Sequence, residues 1–213
     1  MSDLRDGLAH VLWIGGAPRV GKTTLSRLLA GKYDLKLYNL DWHQVREHRD
    51  RGGPAMRWWD ERTLDGLWVD STPGELLERS IAAWNEGFEL VIQDLLALPP
   101  FRTIVAEGPG ALPRLVAPLI RDRSQAIFLV PTLAVWEGVL AGRGAVGADR
   151  TRDPARGRLT LRERDARFEA AIAGWCDELG LRWVRLDGGL SLDASLALIE
   201  EHFGPHLPKE LNV

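Results

Sequence analysis

The stretch Gly16-Ala17-Pro18-Arg19-Val20-Gly21-Lys22-Thr23 lies between an apolar run, Val11-Leu12-Trp13-Ile14, and a segment from Lys22 to Ala30 with leucines at helical spacing. The apolar run predicts a buried strand, and the leucine spacing predicts an amphipathic helix. Between a strand and a helix, the pattern G-x-x-x-x-G-K-[ST] turns backbone N–H groups inward, while the helix N-terminus adds partial positive charge. The stretch therefore predicts a loop that holds phosphate groups.

The residue types in this loop predict a nucleoside triphosphate with magnesium, that is, ATP and Mg²⁺ as cofactors. Lys22 is expected to bridge the terminal phosphates, and the Thr23 hydroxyl to complete a magnesium shell. The structural alternative is a glycine-rich turn that merely precedes an ordinary helix. The nucleotide-binding residues predicted from this stretch are Gly16, Ala17, Pro18, Arg19, Val20, Gly21, Lys22, Thr23 and Thr24.

Composition limits the class of protein. The chain has 213 residues, which suits one domain spanning residues 1–213 rather than two. Its net charge of -3 gives no general attraction to nucleic acid or to anionic membranes, so nucleic acid is not an expected partner. A single cysteine, Cys176, excludes an internal disulfide and a multi-cysteine metal site. No apolar run reaches the ~20 residues of a membrane span, and the first residues do not resemble a signal peptide, so a cytoplasmic location is expected.

The remainder of the chain alternates predicted strands with predicted helices, which indicates an α/β fold with a parallel sheet and helices on both faces. A helix is expected to begin after Thr72, the first residue of a capping box, and to reach about Asn85. A second apolar stretch, from Phe88 to Leu98, continues in the same layer. Regular patterns are missing from 42–71, and 144–158 is expected to be an exposed, mobile segment. The four further predicted strands are Leu35–Leu40, Thr103–Ala106, Ala126–Val130 and Leu181–Leu186.

The order of these features resembles the P-loop kinase superfamily. The chain has no Asn-Lys-x-Asp or Asp-x-x-Gly signature of a GTPase, and it is too short for a helicase. Asp41 follows strand two, Glu107-Gly108 follows strand three, Arg143 opens an arginine-rich segment, and Gly188-Gly189 forms a turn after strand five. In size and layout the chain is similar to shikimate kinase, gluconate kinase, chloramphenicol phosphotransferase and 2-phosphoglycerate kinase-like proteins. It lacks the Asp-Gly-[Phe/Tyr]-Pro-Arg motif of adenylate kinases, which argues against a nucleoside monophosphate as acceptor.

The resemblance implies a three-layer P-loop NTPase fold with a five-stranded parallel sheet in the order 2-3-1-4-5. This order places Asp41 and Glu107 beside the phosphate loop, at the carboxyl ends of the strands. Asp41 is the candidate base and Glu107 a candidate magnesium ligand together with Thr23, although either acid could take either role, and each could instead be a strand-end acid without a catalytic function. The resemblance also implies an acceptor-binding insertion at about 42–72, an arginine-rich lid at about 143–160, and nucleotide contacts from Arg143, Gly188 and Gly189.

Fixed cations besides magnesium are expected to stabilise the transferred phosphoryl group. Arg143 is one candidate. Arg164 is another, since it borders the apolar stripe of the following helix and should lean toward the protein. Arg150 or Arg152 could join them when the lid closes, while most lid arginines are expected to be solvated. The predicted catalytic set is Lys22, Asp41, Glu107, Arg143 and Arg164.

The segment after Asp41 combines tryptophans and arginines, including Trp42, Trp58, Trp59 and Trp68. Such a mixture suits an anionic or ring-bearing small-molecule acceptor, although tryptophans that merely pin the segment to the sheet explain it equally well. Asp94 is expected to have a helix-end or surface role. His43 is expected to lie near Asp41, but a lone histidine is weak evidence for catalysis or for a metal site.

Three functions fit these features. The first is an ATP-dependent phosphotransferase that acts on a small hydroxyl or phosphate acceptor, with zeta-toxin-like phosphorylation of peptidoglycan precursors as a variant. The second is a nucleotide-binding regulatory or degenerate kinase without turnover. The third is a nucleic-acid-linked kinase, which the net acidity of the chain disfavours. The sequence carries no signal for the oligomeric state.

Overall fold

A parallel five-stranded sheet organises the computed structural model, which describes residues 4–145 and 147–209. The strands lie in the order β2-β3-β1-β4-β5. This confirms the predicted fold class and strand order. The bounds of the strands are β1 Val11–Gly16, β2 Lys36–Asn39, β3 Ile104–Glu107, β4 Ala126–Pro131 and β5 Arg182–Leu186.

The register places the two acids at the same edge of the sheet. Along β1, Ile14 pairs with Glu107 of β3, and Glu107 pairs in turn with Asn39 of β2. Because all strands run parallel, their carboxyl ends meet where the phosphate loop leaves β1. Asp41, two residues beyond the end of β2, therefore lies at this edge as well.

Helices cover both faces of the sheet, and successive side chains of β1 point to opposite faces. Val11 and Trp13 pack into a core with α5 (Pro73–Ala97) and α8 (Pro154–Leu179). Leu12 and Ile14 pack into a second core with α2 (Lys22–Lys32) and α9 (Leu192–Phe203). The α-helices are α1 Leu4–Gly7, α2 Lys22–Lys32, α3 Leu40–Arg46, α4 Pro54–Asp60, α5 Pro73–Ala97, α6 Pro113–Val116, α7 Leu133–Arg143, α8 Pro154–Leu179 and α9 Leu192–Phe203. Among the described residues, no helix is both long enough and apolar enough to cross a membrane.

The longest helices follow their capping signals. Thr72 accepts a hydrogen bond from the Glu75 amide at the start of α5, as the capping box predicts. The helix does not end near Asn85, as its first apolar pattern suggests, but continues without a break to Ala97. The two predicted apolar stretches are parts of one helix that passes through Gly87, where an added Cβ would lie 3.2 Å from the sulfur of Met56.

Two segments are more ordered than their sequences indicate. Residues 42–71, without a regular pattern, form α3, α4 and a π-helical turn, Gly66–Asp70. The expectation that the segment from 144 to 158 is exposed is only partly right, since Ala145, Ala148 and Thr151 are buried and α8 begins at Pro154. Val146 lies outside the described residues, and the mobility of the segment stays a prediction. Its small side chains explain the order: Ala145 and Ala148 are fully buried in a third apolar cluster that contains Trp68 of the π-helical turn. The two segments therefore stabilise each other by burying apolar surface.

Candidate functional site

The phosphate loop is shaped by two glycines and pressed against β4. Gly16 has a φ of +117°, and a Cβ there would lie 2.0 Å from the Leu129 carbonyl oxygen, so only glycine fits. The next residue, Ala17, donates its amide to the same Leu129 oxygen at 2.9 Å. Gly21, in the left-handed region, is the N-cap of α2. The backbone of the loop is thus fixed by its contact with the sheet.

Lys22 lies inside the loop that it follows. Its ammonium nitrogen Nζ donates to the carbonyl oxygens of Ala17, at 2.7 Å, and Gly16, at 3.2 Å. The residue is buried, and burial lowers its pKa, although the nearby carboxylates of Asp41 and Glu107 act in the opposite direction. A dianionic phosphate at this position would replace the carbonyl contacts with a stronger partner for the ammonium group.

Glu107 is almost fully buried and joins the loop to β2. Its Oε1 accepts a hydrogen bond from the Thr23 hydroxyl at 2.9 Å and a short one from the Asn39 side chain. The Asn39 Oδ1 in turn accepts the Trp42 amide at 2.6 Å and caps α3. Asn39 is not among the site residues predicted from the sequence. Its position at the strand end, directly before a helix, could have indicated it, because asparagine is a favoured helix cap.

A cavity of about 540 Å³ opens over the phosphate loop. The predicted residues Glu107, Asp41 and Arg143 line it, together with the loop residues from Pro18 to Thr24. Gly16 and Ala17 form the start of the loop at the end of β1. Gly188 and Gly189 do not line this cavity; they lie in the turn after the edge strand β5, where Gly188 packs beside Val135 of α7.

Asp41, in the first turn of α3, lines a second cavity as well. Asp41 is solvent-exposed, because its side chain opens into both cavities, yet protein atoms crowd its carboxylate. This partial desolvation raises the pKa of Asp41 to about 6, with Lys22 acting to lower it and Glu107 to raise it further. A carboxylate with this pKa is ionised at neutral pH and is a stronger proton acceptor than an ordinary aspartate.

The second cavity has a volume of about 230 Å³ and a mixed aromatic and cationic lining. Its walls include Trp59 of α4, Trp84 of α5 and Arg164 of α8. Arg164 is buried, as its position on the stripe predicts, and its guanidinium lies over the Trp68 ring at 5.6 Å. Burial lowers the pKa of this group. The full lining is Asp41, Gln44, Val45, Trp59, Ser80, Ala83, Trp84 and Arg164.

A fully buried carboxylate, Asp165, contacts one arginine from each cavity. Its Oδ2 pairs with Arg19 Nη1 of the phosphate loop at 2.7 Å and accepts the Trp136 indole N–H at 2.9 Å. Its Oδ1 lies 2.9 Å from Nε of Arg164. Arg19 has a φ of +63°, and this ion pair helps to hold that unusual backbone in place. Asp165 is not among the predicted site residues, since the prediction considered only the arginines of this segment. Its position beside the buried stripe of α8 could have indicated a buried carboxylate.

The arginines of the predicted lid behave differently from one another. Arg143, at the end of α7, lines the first cavity and is exposed. Arg150 lines neither of the two cavities, and Arg152 pairs with Asp70 of the π-helical turn. The segment is therefore tied to the insertion in this structure, and closure of a lid by Arg150 or Arg152 stays a prediction.

Asp94 lies in the last turn of α5, which fits the helix-end position expected for it. Its side chain is a quarter exposed but is not simply solvated, since its Oδ2 accepts hydrogen bonds from Tyr38 at 2.8 Å and His48 at 2.6 Å. The residue therefore joins α5 to β2 and to the insertion.

The similarity of this chain to known proteins is structural and comes at low sequence identity. No model of a known protein family matches the chain, and no curated protein sequence is significantly similar to it. Among solved structures, thymidylate kinase from Candida albicans has 16% identity over 92% of both chains, with a TM-score of 0.48. Shikimate kinase from Bacteroides thetaiotaomicron has 15% identity over 90% of this chain and 96% of its own, also with a TM-score of 0.48. This level of similarity concerns the fold alone, which the strand order above defines.

Proposed function

We propose that the protein is an ATP-dependent phosphotransferase that transfers a phosphoryl group to a hydroxyl group of a small anionic molecule. The observation that carries the proposal is the position of Asp41, which lines both the cavity over the phosphate loop and the smaller cavity beside it. One carboxylate thus faces a space for a phosphate donor and a space for an acceptor. This arrangement is what in-line transfer between two bound molecules needs.

The residues of the first cavity fit a magnesium nucleotide. The glycine-rich loop and the N-terminus of α2 supply backbone N–H groups for the phosphates, and Lys22 supplies a fixed positive charge. The Thr23 hydroxyl and the Glu107 carboxylate, 2.9 Å apart, form the oxygen donor set that magnesium prefers. Magnesium, when bound there, would offset the charge of the phosphates. Arg143 at the mouth of the cavity would contact the base or the phosphates.

Asp41 would act on the acceptor hydroxyl. Its carboxylate would accept the hydroxyl proton as the acceptor oxygen forms a bond to the γ-phosphorus, while the bond between that phosphorus and the β,γ-bridging oxygen of ATP breaks to release ADP. The position of Asp41 between the two cavities favours this role, whereas Glu107, which contacts Thr23, is placed at the phosphate loop alone. In this assignment Glu107 is the metal ligand and Asp41 the base.

Arg164 and two tryptophans describe the acceptor. Arg164 lines the second cavity, and its Nε lies 2.9 Å from Oδ1 of Asp165. Its guanidinium would bind a carboxylate or phosphate of the acceptor. Trp59 and Trp84 offer flat apolar surface at the same cavity. A compact hydroxy acid or phosphorylated metabolite, with a ring or carbon chain between the tryptophans, fits these groups.

A coupled assay of ADP release tests the proposal. The purified protein would be incubated with ATP and Mg²⁺ against a panel of sugar acids, phosphorylated metabolites, aminocyclitols and neutral nucleosides. We expect ADP release that requires an anionic acceptor and that is lost in Lys22→Ala. If ATP binds but no acceptor stimulates its consumption, the protein is a nucleotide-binding kinase relative without turnover, and the proposal is wrong.

A further inference from the structure

Three side chains that could hold a metal ion meet between α3 and α5. His43 lies on α3, Glu47 is the C-cap residue directly after this helix, and Asp94 reaches them from α5. Nδ1 of His43 lies 2.6 Å from Oε2 of Glu47 and 4.0 Å from Oδ2 of Asp94. The three donor atoms all lie within 4.8 Å of one another.

These spacings are close to those of a tetrahedral metal site. Ligand atoms about 2.05 Å from a zinc ion stand roughly 3.4 Å apart, which lies between the two distances measured from His43. Small side-chain rotations of Glu47 and Asp94 would equalise the distances. The site is reachable, because the side chains of His43, Glu47 and Asp94 are 20%, 50% and 25% exposed.

The surroundings hold two of the three donors in place. The His43 ring is stacked on Tyr38 with a centroid distance of 4.0 Å, which fixes the direction of its nitrogen. Tyr38 and the fully buried His48 both contact Oδ2 of Asp94, at 2.8 and 2.6 Å. Burial acts to raise the pKa of Asp94, but these two partners outweigh it and hold that pKa below its usual range. Second partners of this kind are what orient the ligands of metal sites in proteins.

We propose that His43, Glu47 and Asp94 form a binding site for a first-row transition-metal dication of the zinc type, which ties α3 to α5. Imidazole nitrogen and carboxylate oxygen are both zinc ligands, and three protein ligands with water as the fourth is the arrangement of open zinc sites. Magnesium prefers oxygen ligands alone, so this site and the oxygen set of Thr23 and Glu107 would select different ions. None of its three ligands takes part in the proposed phosphoryl transfer itself, so metal binding can be measured without an active enzyme.

One neighbouring positive charge, on Arg51, would oppose metal binding. Its removal and the removal of a ligand should therefore change the metal affinity in opposite directions. Nη1 of Arg51 lies 3.8 Å from Oδ1 of Asp94, the oxygen that faces away from His43. A cation at this distance weakens the binding of a dication by simple repulsion. Removing the charge should therefore tighten metal binding, whereas a mutation of a ligand should weaken it.

The metal would act on the candidate base through α3. Asp41 stands in the first turn of this short helix, two residues before His43, and Gln44 and Val45 on the same helix line the second cavity. A metal bridge to α5 would hold α3 at a fixed distance from the cavity walls that α5 supplies, Ser80, Ala83 and Trp84. We expect the metal to raise the unfolding temperature by binding only the folded state.

Calorimetric titration with zinc tests the proposal on the chelator-treated full-length protein without nucleotide. Excess Mg²⁺ in the buffer would occupy the oxygen donor set at the phosphate loop. We expect saturable binding of one zinc ion per chain, with affinity lowered at least about tenfold in His43→Ala and Glu47→Gln and raised severalfold in Arg51→Gln. Cobalt should give a visible absorption spectrum that the same two variants lose. Glu107→Gln, Glu201→Gln and His206→Gln are matched controls and should bind zinc like the parent protein.

Two outcomes would overturn the site. One is the absence of saturable zinc binding in the presence of Mg²⁺, which would leave the cluster as a hydrogen-bond network. The other is zinc binding that survives in Glu47→Gln but disappears in Glu107→Gln, which would move the ion to the phosphate loop. Glu47 is half-exposed, so its glutamine variant should fold even where His43→Ala does not. Because the readout uses metal alone, it is unaffected by whether phosphotransfer is found.

Discussion

The region that would hold the phosphate donor and the region that would hold the acceptor are built in different ways. The donor region consists mainly of one continuous stretch, from Gly16 to Thr23, whose backbone is fixed against β4 by Gly16 and Ala17. The acceptor region is assembled from side chains of four helices: α3, α4 and α5, which follow one another in the chain, and α8, which is distant from them in sequence.

This difference teaches how each region can vary. A loop that binds phosphates with backbone N–H groups depends on residues that permit its shape, so its sequence is constrained locally. A cavity that binds through Arg164 and two tryptophans depends on the packing of the insertion, so its chemistry can change through any of several residues. Asp41 and Asp165 are the residues that contact both regions.

Lys22→Ala should have the largest effect, because it removes the fixed cation of the donor region. We expect phosphotransfer to fall roughly 10³-fold or more, the scale for loss of a cation that stabilises phosphoryl charge. The rate of ADP release with a stimulating acceptor measures this. Lys32→Ala, which removes a surface lysine paired with Glu200, should keep parent activity. A mild defect in Lys22→Ala would contradict the division between the two regions.

Asp41→Asn should come next and should act on transfer rather than on nucleotide binding. We expect kcat to fall about 10²- to 10⁴-fold, since a general base contributes on this scale, while the Kd of a nonhydrolysable ATP analogue changes little. Asp50→Asn, an exposed acid of the same insertion, is the control. Equal losses in kcat and in analogue affinity would make Asp41 a residue of the donor region alone.

The pH profile tests the same residue without a mutation. The pKa of Asp41 is raised to about 6, so the carboxylate is ionised above this value and protonated below it. Since only the ionised form accepts a proton, kcat/KM should fall as the pH drops through about 6 and should level off above it. Asp41→Asn should lose this acid limb. An ordinary aspartate would place the limb near its usual pKa, about two units lower.

The sequence predicts the donor region better than the acceptor region. The strand order is confirmed; hydrophobic runs mark the strands locally, while the order itself is what the resemblance to P-loop kinases implies. Glu107 contacts Thr23, as that order requires, and the roles of both residues toward a nucleotide stay predictions. The segment from 42 to 71 could not be predicted, since Trp58 and Trp68 become core residues in a cluster with residues distant in sequence, such as Ala145, Ala148 and Leu161. Asn39 and Asp165 were missed because their roles come from partners 68 and 146 residues away in the chain, Glu107 and Arg19.

Arg164→Lys sharpens the acceptor side of the comparison. Lysine keeps the positive charge but lacks the planar fork that binds a carboxylate or phosphate through two hydrogen bonds. We expect the acceptor KM to rise about tenfold to a hundredfold with a nearly unchanged ATP KM, the scale for losing hydrogen bonds to a charged group. Arg167→Lys, an exposed arginine on the same helix, should match the parent. A change confined to the ATP KM would mean that Asp165 transmits the effect to Arg19 and that Arg164 does not bind the acceptor.

Arg143→Ala should have the smallest effect, and its control asks whether the arginine-rich segment closes. Arg143 is exposed at the mouth of the first cavity, so its contact with a nucleotide would be screened by water. We expect the ATP KM to rise roughly two- to fivefold without a change in kcat. Arg150→Ala removes a cation that lines neither cavity in this structure and should behave like the parent. A larger kcat loss in Arg150→Ala than in Arg143→Ala would show that the segment moves during turnover, because only a displaced segment could bring Arg150 to the transferred phosphoryl group.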